Sequence, residues 1–401
     1  MKNKDYFKPA DILLPKCDFE KWAVIACDQH TSEPEYWEKT AEIADGSKSA
    51  LDLILPEIYL SKDNSEKISE INKNMLEYLS SDTFAEYKNS YIYVERRLKN
   101  GKTRRGIVGA VDLEDYDYSV KSNAPIRATE ETVTERIPPR VNIRRNASIE
   151  LPHIMLLADD KEKTVIEPLQ AKKTNFKKLY DFEPMQNGGS ISGYLLDKET
   201  ASEVNRSISR LAENSGDGPL FVVGDGNHSL ATAKECYRES GSPLARYALV
   251  ELVNLHDESL KFEPIYRVLF GADPDKVINS FLTYCGGSSN NGKAQKFTFI
   301  SGRGEKTVFV NPKAKLSVAT LQPFLDGYIK ENPDIKIDYI HGVDSLRALA
   351  AKDNTLGILF DGMEKDDLFE AVKNDGSLPR KTFSMGHAND KRYYIEARKI
   401  K

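Results

Sequence analysis

The chain has 401 residues, 40% of them hydrophobic and 30% charged, the mixture of a globular protein rather than a disordered or fibrous one. Lysine and arginine number 57 against 62 aspartates and glutamates, a net charge of −5, so no overall field favours nucleic acid or anionic membranes and any anion site has to be local. No apolar run approaches the roughly 18 residues of a bilayer crossing, and the opening MKNKDYFKPADILLPK lacks the apolar core of a secretory signal; the cytoplasm is the expected location.

A chain of this length exceeds one ordinary core. The expected fold is mixed α/β (α+β), with subdomains over 1–115, 116–270 and 271–401. Cys17, Cys27, Cys236 and Cys285 show no Cys-x-x-Cys spacing and read as buried free thiols. In chain order, Trp22 to Cys27 predicts a strand and Ser65 to Leu79 a helix with Ile68, Ile71, Met75 and Leu79 on its core face. Tyr91 to Leu98, Asn100-Gly101 and Arg104 to Val111 predict a hairpin. Pro138 and Pro139 break the arginine-rich segment after residue 127, so its arginines are expected on a folded loop. His153 to Leu157 and Thr164 to Ile166 flank a charged turn at Asp159-Asp160, a second hairpin pattern. Leu220 to Val223, a glycine-bearing turn and a helix through Leu230, Ala233 and Tyr237 make strand, loop, helix, and Tyr247 to Leu255 predicts a buried strand. A soft boundary near residue 270 and a Gly/Ser/Asn loop over 286–292 precede alternating strands (296–300, 307–310, 335–340, 356–360) and helices (318–330, 344–351, 365–373).

The strongest chemical constellation is GDGNHSLATAK, because a glycine turn between a buried strand and a helix presents backbone N–H groups at the positive end of the helix. Gly224 and Gly226 permit close approach, Asn227 and Ser229 are polar, and Ser229 can cap the helix or donate to a phosphate oxygen. His228 can bind phosphate or move a proton, and Asp225 can orient it, act as a base or hold Mg²⁺. The bland alternative is an Asp-Gly turn with an Asn or Ser cap. The turn is neither a Walker A loop nor a dinucleotide fingerprint.

A second strand end places Asp28, Gln29 and His30 before a Ser32/Glu35 capping-box pattern. Arg127, Arg136, Arg140, Arg144 and Arg145 suit phosphate or carboxylate, Arg140 and Arg144 above all, or else pair with nearby glutamates. Glu150 and His153 stand where a cleft could use them. Arg380, Lys381, Ser384 and His387 precede the last strand, His341 follows a strand, and Asp344 is expected to cap a helix; Lys381 can neutralise a phosphate.

Together, FKPADILLPKCDFEKWAVIACDQHTSEPEYW, RATEETVTERIPPR, ELPHIMLLADD, GDGNHSLATAK and FEPIYRVLF resemble the bacterial and archaeal domain-of-unknown-function 1015 family, a name that carries no activity. Gly226 and His228 are also similar to the Gly-x-His-Arg phosphate turn of the ParB/sulfiredoxin-like fold, which includes nucleotide-dependent free-serine kinases. That resemblance implies a ParB/sulfiredoxin-like core turn inside a larger mixed-sheet protein and a phosphate turn for ATP or ADP with Mg²⁺. Relatives with Asp-Gly-His-His-Arg differ at Asn227 and Ser229, so the missing arginine's charge has to come from elsewhere, such as Arg144 or Lys381. The kinases' catalytic carboxylate has no motif match here.

The leading expectation is a nucleotide-dependent phosphotransferase acting on a small molecule, serine or a similar hydroxy amino acid, with Asp225 or Asp28 as base. The rivals are a phosphoester hydrolase using the Asp and His groups, and a ParB-like nucleotide-sensing or nucleic-acid-binding module. The acidic balance and the absence of a recognition-helix motif disfavour nucleic acid as a partner. A membrane partner is not expected, and the oligomeric state is not legible.

Overall fold

The hairpin expected around Asn100-Gly101 forms, and it seeds the largest sheet. In the computed structural model, residues 4–60, 63–131, 137–289, 292–386 and 388–401 are described, and the chain divides into two compact units, Met1–Leu260 with His387–Lys401, and Lys261–Gly386. In the first unit, β1 (Phe7–Lys8), β2 (Ile92–Arg97), β3 (Thr103–Asp112), β4 (Tyr116–Asp117), β5 (Ile126–Arg127), β6 (Met155–Ala158), β7 (Lys177–Phe182), β8 (Ser190–Leu195), β9 (Phe221–Asp225) and β10 (Tyr247–Asn254) make one sheet. Their order is β7-β8-β2-β3-β10-β6-β9-β5-β4, with β1 also on β3. The sheet is mixed: β6 runs parallel to β10, and β5 runs parallel to β9 and β4.

Side chains alternate across a strand, and both faces of this sheet are covered. Ile92, Val94, Val108 and Leu249 join Trp22 and Tyr393 in one core, while Tyr91, Tyr93, Ile107 and Val250 join Phe221 and Leu230 in the other. Helix α1 (Ser65–Ser80) packs Ile71, Met75 and Tyr78 into the first core. Helix α2 (Ile137–Arg144) lies against α4 (Asn227–Ser240), and α3 (Lys198–Ser215) starts at Asp197, whose carboxylate accepts the Thr200 N–H at 2.7 Å.

The last residues return into the first unit. Tyr393–Tyr394 pairs with Val24–Ile25 and Arg398–Lys399 with Ile149–Glu150, and Trp22 Nε1 donates to the Ile395 carbonyl at 3.1 Å. Their main ionic anchor is Glu150, only 4% exposed. Its Oε1 accepts Arg398 Nε at 2.7 Å and the Leu249 N–H at 2.9 Å, and its Oε2 accepts Arg144. The second unit holds an antiparallel sheet of Phe262–Phe270, Gln295–Ser301, Gly304–Val310, Lys336–His341, Thr355–Phe360 and Phe383–Met385. The helices Pro274–Cys285, Ser317–Glu331, Val343–Ala350 and Asp367–Asn374 alternate with these strands along the chain.

Several local expectations give way to other solutions. The second hairpin does not form: no strand covers 164–166, because the buried Asp160 carboxylate takes the Thr164 and Val165 N–H groups at 2.7 and 2.8 Å and Glu167–Lys172 follows as helix. Arg140 and Arg144 lie on α2, not on a loop, since the proline pair falls in the first turn, where a missing N–H costs no helical bond. The strand after Trp22 shrinks to Val24–Ile25. Glu33, not Ser32, is the cap residue before Pro34–Ala44 and makes no side-chain cap bond, the helix opening instead on Pro34; likewise Gly342 rather than Asp344 is the cap residue of Val343–Ala350. Part of the 286–292 loop lies outside the described residues.

Burial alone would push the Glu150 carboxyl up, but the Arg398 and Arg144 guanidiniums outweigh it and hold it below its ordinary 4.5. Such a group stabilises the fold fully above that ordinary value, and the contribution fades as pH falls through the lower folded value. Glu150→Gln is therefore expected to cost about 3–5 kcal/mol near neutrality. Urea unfolding should show the gap from wild type closing only as pH falls below the ordinary carboxylate range.

Candidate functional site

Strand β9 is fully buried at Phe221, Val222 and Val223, which fixes where it ends. Gly226 then turns the chain into α4 with φ 85° and ψ 29°, the left-handed region that glycine tolerates best. A Cβ there would stand 3.1 Å from both Cα and Cγ1 of Ile154, so glycine is needed for space as well as for angle. As the cap residue, Gly226 makes no side-chain cap bond to α4. An α-helix leaves its first-turn N–H groups without intrahelical partners, at the positive end of its dipole.

The polar side chains of that turn reach sideways instead. Asn227 Oδ1 accepts the Thr129 N–H and its Nδ2 donates to Thr129 Oγ1, both at 3.1 Å, while Thr129 Oγ1 donates to the Val223 carbonyl at 2.6 Å. Ser229 Oγ lies 3.1 Å from His153 Nε2, so it does not serve as a cap. His153 Nδ1 meets the Tyr394 hydroxyl at 2.8 Å, and that oxygen accepts the Cys27 N–H at 3.2 Å. Burial holds the Tyr394 phenol protonated; when it donates to Nδ1, a neutral His153 carries its proton on Nε2, facing Ser229 and Asp28.

Asp28 Oδ2 lies 3.8 Å from that same Nε2. Burial pushes the Asp28 carboxyl up, yet His153, the Gln29 Nε2 hydrogen bond at 3.0 Å, Lys391 and Arg140 together hold it below the ordinary carboxylate value. Asp225 accepts the Gly226 N–H at 3.1 Å and pairs with Lys391 Nζ at 3.3 Å, so it orients the turn and the lysine. The Cys27 thiol is pushed up to about 12 by burial, which removes it as a thiolate nucleophile at neutral pH.

Ser229, His153, Tyr394, Arg140 and Arg144 line a cavity of about 140 Å³ together with Glu57, Glu150, Thr232 and an apolar majority that includes Leu55, Met75, Ile143 and Leu151. Arg140 pairs with Glu57 at this wall. Arg144 and Glu150 are tied to each other there, and Glu150 serves the fold rather than a free ligand. Of the other nominees, Gly224 is the penultimate residue of β9, and His228 stands half-buried in the first turn of α4, its carbonyl accepting Thr232 Oγ1 at 2.7 Å. His30 is stacked on Tyr36 and bonded to Glu33 and Asn389, so its ring nitrogens serve the loop.

Arg127 donates to the Ala124 and Asp217 carbonyls and Arg145 pairs with Glu239 on the surface, while Arg136 lies outside the described residues. Lys381, Arg380, Ser384, His341 and Asp344 belong to the second unit, where the Lys381 carbonyl accepts Arg267; His387 lies outside the described residues. Lys391, Tyr394 and Thr129 were not anticipated. The tyrosine pair in the charged C-terminal run KRYYIEARKI was the available signal for the first two. Among the described residues no group of three or more His, Cys, Asp or Glu side chains is arranged to hold a metal ion, and no helix is long and apolar enough to cross a membrane.

Residues 8–328 match the family described as protein of unknown function (DUF1015). The chain belongs to the DUF1015 family. The match stops short of the segment that brings Lys391 and Tyr394 to this member's site. No curated protein matches the sequence. Among solved structures, a conserved hypothetical protein from Pyrococcus furiosus is 13% identical with a TM-score of 0.39, over 71% of this chain and 93% of its own. A mutant free serine kinase in complex with ADP is 10% identical with a TM-score of 0.42, over 75% and 94%. C-terminally truncated SbnI from Staphylococcus aureus is 10% identical with a TM-score of 0.39, over 72% and 85%.

Because Gly226 is constrained both by its angle and by Ile154, Gly226→Ala is expected to lower stability by about 1–2 kcal/mol. Urea unfolding measures this, and an unchanged midpoint would mean the turn relaxes freely.

Proposed function

We propose that this chain is a nucleotide-dependent small-molecule phosphotransferase with its phosphate site at the first turn of α4. The observation that carries the reading is the meeting of a helix N-terminus that begins at a glycine with an ionised carboxylate, Asp28, on a histidine network. A helix mouth receives phosphate oxygens through backbone N–H groups, and Ser229 Oγ adds a hydroxyl donor beside them. Asp28 and Asp225 supply oxygen ligands of the kind Mg²⁺ takes from one or two carboxylates alongside phosphates. ATP or ADP with Mg²⁺, when bound, supplies the phosphoryl group and neutralises charge on it.

Asp28 sits below the ordinary carboxylate range, so it is ionised throughout the neutral range and is a weak base. Its work is to accept and orient the acceptor hydroxyl, which suits phosphoryl transfer because little proton abstraction is needed in a loose transition state. The hydroxyl proton leaves late, to Asp28 and on to solvent, while His153 Nε2–H orients Asp28 and Ser229 Oγ and the Tyr394 hydroxyl fixes the ring from the other side. The acceptor is a small hydroxy metabolite, a hydroxy amino acid such as serine being the first to try.

The test combines intact protein, Mg²⁺, and ATP or ADP with a panel of hydroxy metabolites, serine included, followed by phosphorus NMR. A phosphorylated product is expected, and Asp28→Asn should lower kcat roughly 100-fold or more while the fold persists. Neither nucleotide binding nor turnover across the panel would overturn the reading. Phosphate released from phosphoesters without nucleotide would replace it with hydrolysis.

A further inference from the structure

We propose that Lys391 is the side-chain cation of the phosphate site, delivered to the mouth of α4 by the C-terminal segment; this deepens the phosphotransferase reading and rests on it. The first turn of α4 brings no lysine or arginine of its own. Arg140 and Arg144 are each engaged with a glutamate. Lys391 Nζ stands 3.3 Å from Asp225 Oδ2, one residue before the left-handed glycine, with its side chain 15% exposed.

The segment that carries it is held by backbone contacts to two buried guanidiniums. Arg96 on β2 donates to the carbonyls of Gly188 at 3.1 Å and of Asn389 and Lys391, and Arg104 on β3 donates to the Asp390 carbonyl at 2.7 Å. His30 Nε2 meets Asn389 Oδ1 at 3.1 Å. Arg96 and Arg104 are 2% and 3% exposed, and the bonds from their terminal nitrogens to these carbonyls offset part of the cost of burying the charge. Three successive carbonyls, 389 to 391, are therefore fixed in place, and the lysine stem starts from a set backbone.

A plain salt bridge to Asp225 needs no such holding. An ammonium has three donors, and one bond to Asp225 leaves capacity for phosphate oxygens. Asp225 itself is turned by its bond to the Gly226 N–H, so the carboxylate aims the lysine along the helix mouth. Phosphate oxygens arriving at the α4 amides would meet the ammonium from the side, adding a charge-assisted bond to the neutral backbone donors.

The test is calorimetric titration of the full chain with Mg²⁺-pyrophosphate and with ADP, for wild type, Lys391→Met, Lys391→Arg and Lys399→Met. Lys399 is on the same segment, exposed and 3.6 Å from Glu86, and serves as the charge control. Lys391→Met is expected to weaken pyrophosphate binding roughly 10- to 100-fold, with Lys391→Arg recovering most of it and Lys399→Met staying within about twofold. Unfolding midpoints measured alongside separate lost binding from lost fold, and the charge-keeping arginine variant reads the site even where the methionine variant is unstable. Wild-type affinity in both Lys391 variants overturns this assignment alone. A wild-type chain that binds neither pyrophosphate nor nucleotide overturns it together with the phosphotransferase reading.

Discussion

The site depends on a helix that begins at a glycine. With Gly226 at the cap position there is no side chain to close the N-terminus of α4, and the polar residues that follow bond sideways, Asn227 to Thr129 and Ser229 to His153. The backbone N–H groups at the positive end of the helix dipole therefore receive no bond from the side chains of Asn227 or Ser229. The same two side-chain bonds tie α4 to its neighbours, so the turn can remain ordered without a cap. A rigid β9, buried at every apolar position, supplies the other half of that order.

The second element of the account is the return of the C-terminal segment into the first unit. Tyr394 completes the His153 network, Lys391 meets Asp225, Arg392 reaches Glu251 and Glu396, and Arg398 meets Glu150. Each of these is a charged or polar group taken out of water, and such groups are sustained only by partners in good geometry. Glu251 even takes the space a side chain at Gly106 would need. The outcome is a segment whose backbone and ion pairs are mutually determined, which is what holding two site residues to a fixed place requires.

The sequence was informative where structure is local. Asn100-Gly101 between alternating strands marks the β2–β3 hairpin, and an apolar run meeting Gly224 and Gly226 marks the β9–α4 turn. His153, Ser229 and Asp28, nominated from three separate motifs, lie together. What could not be read is partnership over long separations. Glu150 looked like a cleft residue because its partner Arg398 is 248 positions away; Tyr394 reaches His153 through a strand pairing, and Lys391 reaches Asp225 on a backbone held by Arg96 and Arg104, neither of which a local period encodes. Arg140 and Arg144 were placed on a loop because two prolines usually end a helix, whereas here they begin one. The cation looked for in Arg144 or Lys381 has a candidate in Lys391, which pairs with Asp225 in the same unit as α4.

The proposed chemistry rests on the first turn of α4 with Asp28, Asp225 and Lys391 beside it. A crystal structure of the full chain soaked with ADP and Mg²⁺ tests this most directly. The account predicts phosphate oxygens within hydrogen-bonding distance of the N–H groups of Asn227 to Ser229. Nucleotide bound elsewhere, with that first turn closed by the protein's own groups, would contradict it.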